Sequence, residues 1–208
     1  MLLDRYSLAQ MFHAAAELWQ ANTDRLSEID SRFGDGDHGV TIGKIAALIE
    51  TKVKAWADQS LKAFIEDLGQ GILAISGGSA GPLYGTMVEG LAAPLDKETE
   101  IDGILLKKML AASLAEMKGL TKARVGDKTM MDALIPAVQA AEAAPDDIPA
   151  ILKTAAEAAE KGAEASCGMV SKFGRAKNYG EQTLGCADAG ALSTSLFFQG
   201  LYQGLPKA

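Results

Sequence analysis

Residues 8 to 19 read LAQMFHAAAELW, and their apolar side chains fall at Leu8, Met11, Phe12, Ala15, Leu18 and Trp19. Steps of three and four place all six on one face of a helix. The same period returns in Ile42, Ile45, Leu48, Ile49 and Val53, and in Phe64, Ile65, Leu68 and Ile72. Further helical stretches are expected over 82–94, 101–118, 129–143, 148–166 and 189–204, which makes about eight helices. β-Branched and aromatic residues are sparse while alanine is abundant, so propensity agrees with period and predicts an all-α fold, an antiparallel bundle. The connections carry turn chemistry. Pro145-Asp146-Asp147-Ile148-Pro149 offers Asp147 as the cap of a helix whose early Pro149 is tolerated, and Pro136, inside a helical pattern, is expected to kink it.

The chain has 208 residues, 48% of them hydrophobic, enough for one domain spanning 1–208 with a buried core. A formal net charge of -7 argues against nucleic acid or an anionic membrane surface as the main partner, so an anionic ligand would need local help. Cys167 and Cys186 lie far from any C-x-x-C spacing, which fits packing roles in a reduced chain. The opening MLLDRYSLAQMF lacks a basic region followed by an apolar run, and no stretch is long enough to span a bilayer. A cytoplasmic location is expected.

Four glycine-rich junctions separate the helices: Gly34 to Gly39, Ser76 to Gly85, Gly126 to Met130 and Gly185 to Gly190. In an antiparallel bundle every second connection lies at the same end, so these junctions can converge on one site. The first, Gly34-Asp35-Gly36-Asp37-His38-Gly39, fits G-x-G-x-x-G, but two carboxylates would repel a pyrophosphate unless a cation lay between them. Asp30, Asp35 and Asp37 are candidate ligands for a hard cation such as Mg²⁺; the segment holds a single histidine and no cysteine, which disfavours zinc. An EF-hand is disfavoured because counting from Asp35 puts Gly39, Val40 and Ala46 where a ligand, a glycine and a glutamate are needed. The plain alternative is that these aspartates are solvated turn residues or helix caps. His38 either donates to a phosphate oxygen or caps the following helix, and His13 reads as a core or boundary residue. Ser76-Gly77-Gly78-Ser79-Ala80-Gly81-Pro82 is either a phosphate-binding turn or a tight turn entering a helix. Thr129 and Asp188 sit where N-caps are expected. Arg175 is either a phosphate clamp or a surface arginine.

Taken in order, Asp30, Gly34-Asp35-Gly36-Asp37-His38-Gly39, Gly77-Gly78-Ser79-Ala80-Gly81-Pro82-Leu83-Tyr84-Gly85, Gly126-Asp127-Lys128-Thr129-Met130 and Gly174-Arg175-Ala176 resemble the L subunit of dihydroxyacetone kinases over nearly the whole chain. The resemblance implies an eight-helix antiparallel barrel with a nucleotide site at one end and two Mg²⁺ on Asp30, Asp35 and Asp37. By the same resemblance His38, Gly39, Thr41, Gly77, Gly78, Ser79, Ala80, Thr129, Met130, Arg175, Asp188, Ala189 and Gly190 would surround ADP or ATP, with Arg175 catalytic. It further implies phosphoryl transfer to dihydroxyacetone held on a separate K subunit. ADP would then be a fixed cofactor, recharged by a phosphohistidine carrier protein (M subunit) of the phosphotransferase system. A nucleotide-sensing module acting on a transcription regulator, and an ATP-dependent kinase subunit for another small keto-sugar, are the alternatives. The chain departs from the family's pattern at Asp188-Ala189-Gly190-Ala191, where Asp-Pro-Gly-Ala is common, and in the order Ser79-Ala80, which is swapped in some relatives.

Overall fold

The apolar face read from residues 8–19 is buried in the first helix, α1 (Arg5–Ala21), of a computed structural model that describes residues 1–206. Leu8, Met11, Phe12, Ala15 and Trp19 are buried, and Leu18 lies at the boundary. Burying such side chains contributes roughly 1.5–3 kcal/mol each for the larger ones. Trp19 stacks on Phe197 with ring centroids 5.3 Å apart, meets Tyr84 edge-on, and donates its indole N–H to the Ser193 carbonyl at 2.7 Å. The large apolar side chain thus enters the core with its one polar atom satisfied.

Eight further α-helices follow: α2 (Thr23–Ser31), α3 (His38–Ala55), α4 (Leu61–Leu73), α5 (Ala80–Gly90), α6 (Gly103–Leu120), α7 (Met131–Ala143), α8 (Ile148–Ala165) and α9 (Ala189–Gln203). The fold is all-α. Among the described residues the sole β-type pairing is an isolated bridge between Leu3 and Ile101. Helices pack mainly on their neighbours in chain order, and α9 closes against α1. Connections α2–α3, α4–α5, α6–α7 and α8–α9 therefore meet at one end.

The structure corrects the helix count. About eight helices were expected from the period; the additional one is α2, in which only Leu26 is buried, so TDRLSEIDS shows no apolar stripe to read. Asn22 separates α1 from α2, its backbone N–H donating to the Trp19 carbonyl and its side chain to that of Leu18. A second correction concerns His13, expected at the core boundary: its side chain is exposed and pairs with Glu50 and Glu17. It lies between the buried faces rather than within one.

Several cap expectations hold. Asp147 accepts from the Ala150 N–H at 3.2 Å at the start of α8, and Asp188 from the Ala191 N–H at 2.7 Å at the start of α9. At α7 the N-cap is Met130, one residue after the expected Thr129; Thr129 Oγ1 accepts from the Met131 N–H, and Asp132 reaches back to the Thr129 N–H at 2.7 Å. Pro136 sits inside α7 and cannot bond to the Asp132 carbonyl. Gly162 of α8 closes on that oxygen so tightly that a Cβ there would lie 2.0 Å from it.

Candidate nucleotide and metal site

The last turn of α2 presents Asp30, whose carbonyl accepts from the Phe33 and Gly34 N–H groups and turns the chain. Asp35 and Asp37 follow on the short loop into α3. One carboxylate oxygen from each of Asp30, Asp35 and Asp37 comes within 4.8 Å of the other two. Space for them is left by missing side chains: a Cβ at Gly34 would lie 2.3 Å from Asp30 Oδ1, and one at Gly78 would lie 3.3 Å from Asp37 Oδ1. Asp37 precedes α3, yet its carboxylate makes no capping bond. Burial first, and then the charges of Asp35 and Asp30, push its carboxyl above the ordinary value. Three carboxylates held together in this way destabilise one another until a cation enters, and the all-oxygen donor set fits a hard ion such as Mg²⁺.

Arg175, from the segment between α8 and α9, reaches across to Asp35 with Nη1 2.6 Å from Oδ2. Both side chains remain substantially exposed, so the pair itself adds little stability. Its significance is geometric. A guanidinium from near the end of the chain sits at the edge of the carboxylate cluster.

Beside the cluster opens a cavity of about 590 Å³, a volume suited to a small-molecule ligand. All four junctions line it. The first brings Asp30, Asp35, Asp37 and His38; the second Gly78, Ser79 and Ala80; the third Thr129 and Met130; the fourth Asp188, Ala189 and Gly190, with Arg175 from the segment before it. Helices α3 and α5 both start at this cavity and neither is capped by its N-cap side chain, although the first N–H of α3, that of His38, donates to Asp30 Oδ2 at 3.4 Å. Those N–H groups and the helix dipoles favour an anion there. Three residues expected around a ligand do not line the cavity. Gly39 faces α2, where a Cβ would lie 1.9 Å from the Thr23 carbonyl oxygen; Thr41 is buried beneath the second junction, and Gly77 packs on its hydroxyl. Their positions are explained by packing. The Ala189 departure is structurally silent, because Ala189 opens α9 at a position where proline and alanine both fit.

The floor of the cavity is a polar network that the sequence did not announce. His38 Nε2 lies 2.8 Å from Ser193 Oγ, and Tyr84 Oη lies 2.7 Å from the same oxygen and 2.8 Å from Thr194 Oγ1. Ser193 Oγ in turn donates to the Ala189 carbonyl at 2.9 Å, which makes His38 Nε2–H the donor to Ser193. Burial lowers the His38 pKa against the pull of Asp30, so the ring is neutral at pH 7. Its Nε2 proton is committed to the floor. Burial also raises the Tyr84 hydroxyl, which stays protonated. Lys128 and Asp132 were missed as well, although the spacing of Thr129 and Asp132 matches a capping box and was legible. No local pattern marks Lys128. Cys186 Sγ accepts from Arg32 at 3.3 Å, and both cysteines are free thiols.

The sequence profile of the DAK2 domain matches residues 32–203. The chain belongs to that family. Among its relatives, the ADP-binding subunit DhaL of the PEP-dependent dihydroxyacetone kinase of Escherichia coli is 27% identical over 202 residues, covering 96% of each chain. The ADP-binding subunit DhaL of PEP-dependent dihydroxyacetone kinase 1 of Listeria innocua is 34% identical over 189 residues, covering 88% of each. Among solved structures, the dihydroxyacetone kinase of C. freundii in complex with AMP-PNP and Mg²⁺ superposes with a TM-score of 0.73 at 26% identity over 94% of this chain. The DAK2 chain described here spans 33% of the length of that kinase. These relatives are kinases or kinase subunits, that is, phosphotransferases.

Proposed function

We propose that this chain is the nucleotide-binding subunit of a dihydroxyacetone kinase, holding ADP or ATP with two Mg²⁺ in the cavity between the four junctions. The observation that carries this reading is the cluster of Asp30, Asp35 and Asp37 at the cavity, with Arg175 at its edge. Support comes from the family, and from a relative whose structure contains AMP-PNP and Mg²⁺. The three aspartates would hold the metals, which when bound would neutralise phosphate charge and align the phosphoryl group. The uncapped start of α5, at Ser79 and Ala80, would donate N–H groups to phosphate oxygens. Met130, Ala189 and Gly190 would border the nucleoside.

Phosphoryl transfer needs in-line positioning and charge neutralisation more than a protein nucleophile. The cavity agrees with that demand: it offers carboxylates, helix starts and an arginine, while its histidine is neutral and bonded to the floor. Arg175 is assigned the catalytic role of stabilising the migrating phosphoryl group. The acceptor would be dihydroxyacetone on a separate K subunit. Relatives matched along nearly their whole length are named PEP-dependent ADP-binding subunits, which favours ADP as a fixed cofactor recharged by a phosphohistidine carrier protein.

The test is to purify the protein in Mg²⁺ and measure bound nucleotide by mass spectrometry after gel filtration. About one ADP per chain, lost on chelation, is the expected result. An empty chain that binds and rapidly exchanges ATP and ADP would replace the fixed cofactor by direct ATP use. Absence of any Mg-dependent nucleotide binding would overturn the proposal.

A further inference from the structure

Lys128 brings a charge to the cavity that the chemistry above leaves unused. It is 4% exposed, and at φ 60° it is the single non-glycine residue with positive φ among those described. Its Nζ donates to four carbonyls: Ser166 at 2.9 Å, Thr183 at 2.8 Å, Cys186 at 2.5 Å and Met169 at 3.2 Å. An ammonium has three protons, so four acceptors at these distances occupy all of them and leave none for a phosphate. The lysine borders the cavity but faces away from it chemically. What it binds is the segment joining α8 to α9.

That segment has little else to order it. Between Cys167 and Asp188 only Ser171 and Thr183 are buried, while Phe173, Tyr179 and Leu184 are 36%, 44% and 46% exposed. It contains left-handed Gly174, Gly180 and Gly185, and its regular structure is limited to 3-10 turns. Apolar burial therefore cannot fix its shape. Charge-assisted hydrogen bonds in a water-poor cage can, because an opened segment would leave four carbonyls and a buried ammonium unpaired. Neighbouring Asp127 adds a second tether, accepting from Lys172 Nζ at 2.8 Å and from the Lys172 N–H at 3.1 Å. Arg175 lies three residues beyond this tether and projects to Asp35.

We infer that Lys128 is a positioning residue: by filling a cage of four carbonyls it holds the α8–α9 segment in the shape that sets Arg175 against the aspartate cluster. The consequence for turnover rests on the role proposed for Arg175; the ordering of the segment does not. Both can be measured separately. Without nucleotide, Lys128→Met is expected to speed amide exchange at Ser171, Lys172 and Gly185 on the order of a hundredfold, leaving α1 to α5 unchanged. Unaltered exchange at these three amides would overturn the assignment, whatever the reaction is.

In a phosphoryl-transfer assay with the full set of partner subunits, Lys128→Met is expected to lower turnover about tenfold in the native background and hardly at all in an Arg175→Ala background. Equal losses in both backgrounds would mean that Lys128 acts on the substrate directly, against the inference. Should Lys128→Met not fold, Lys128→Gln supplies two N–H donors on a stem one bond shorter while removing the charge. The same exchange pattern at smaller amplitude is then expected, and its absence overturns the proposal.

Discussion

The two sides of the cavity treat charge in opposite ways. On the α2–α3 side, Asp30, Asp35 and Asp37 crowd together with Arg175 on one of them and no backbone cap for Asp37. On the α6–α7 and α8–α9 side, the charged side chains are engaged by the protein's own backbone. Lys128 fills four carbonyls, Asp132 accepts from the Gly126 and Thr129 N–H groups at 2.6 and 2.7 Å, and Asp188 caps α9. A saturated buried charge specifies local structure, whereas an unsaturated cluster stores repulsion that a ligand relieves. The difference separates groups that hold the site from groups that hold its ligand.

Substitutions on the unsaturated side should therefore cost binding and spare the fold. Asp35→Asn or Asp37→Asn is expected to reduce Mg-dependent ADP binding below calorimetric detection while the ligand-free protein melts no lower than the parent. In the proposed complex two Mg²⁺ would bring +4 against about −3 from the diphosphate, so each aspartate's charge would contribute to holding both ions. Unchanged affinity in both variants would dissolve the contrast. Arg175→Ala should lower turnover on the order of a thousandfold with a much smaller change in nucleotide affinity, because its proposed role is to face charge that develops in the transition state. Affinity lost at full turnover would make it a ground-state anchor instead.

Substitutions on the saturated side should show in stability. Asp188 is half-buried in the cavity wall, and desolvation of its carboxyl above all raises the pKa from 3.8 to about 7. An acid whose folded-state pKa is raised stabilises the fold fully below its unfolded value, and that contribution disappears as pH climbs through the folded value. Ligand-free stability should thus fall between about pH 4 and pH 7, by at most about 4 kcal/mol from this group. Asp188→Asn keeps a capping oxygen and should flatten the melting profile over that window; equal slopes in both proteins would refute the titration. Asp132→Ala removes two backbone bonds from a residue with no exposure, and a loss of roughly 2–3 kcal/mol is expected in urea denaturation. A neutral outcome would show that Asp132 is not part of the saturated side.

Much of this arrangement was legible in residue order. Aspartates alternating with glycines before a helix announced the unsaturated cluster, because spacing alone brings Asp35 and Asp37 together. Caps at Asp147 and Asp188 were readable for the same local reason. The saturated side was not. Lys128 has no neighbours in sequence that explain its burial, since its four acceptors come from residues 166–186. Ser193 and Tyr84 read as ordinary helical residues until α5 and α9 are packed together. Helix α2 escaped notice because it buries a single leucine, and the close packing of Gly39, Thr41 and Gly77 behind the cavity lining could not be read from their junctions.

By itself the sequence determined the helical class, the places where most of the helices start, and the chemical groups carried by each junction. These depend on period, capping and charge within a few residues, and such interactions are short enough to be written locally. Only the tertiary structure decided which junctions share a cavity, which face of each turns inward, and that Arg175 meets Asp35. Those outcomes depend on how nine helices bury their faces together, a collective packing problem in which the partners of Lys128 and Asp35 lie far away along the chain.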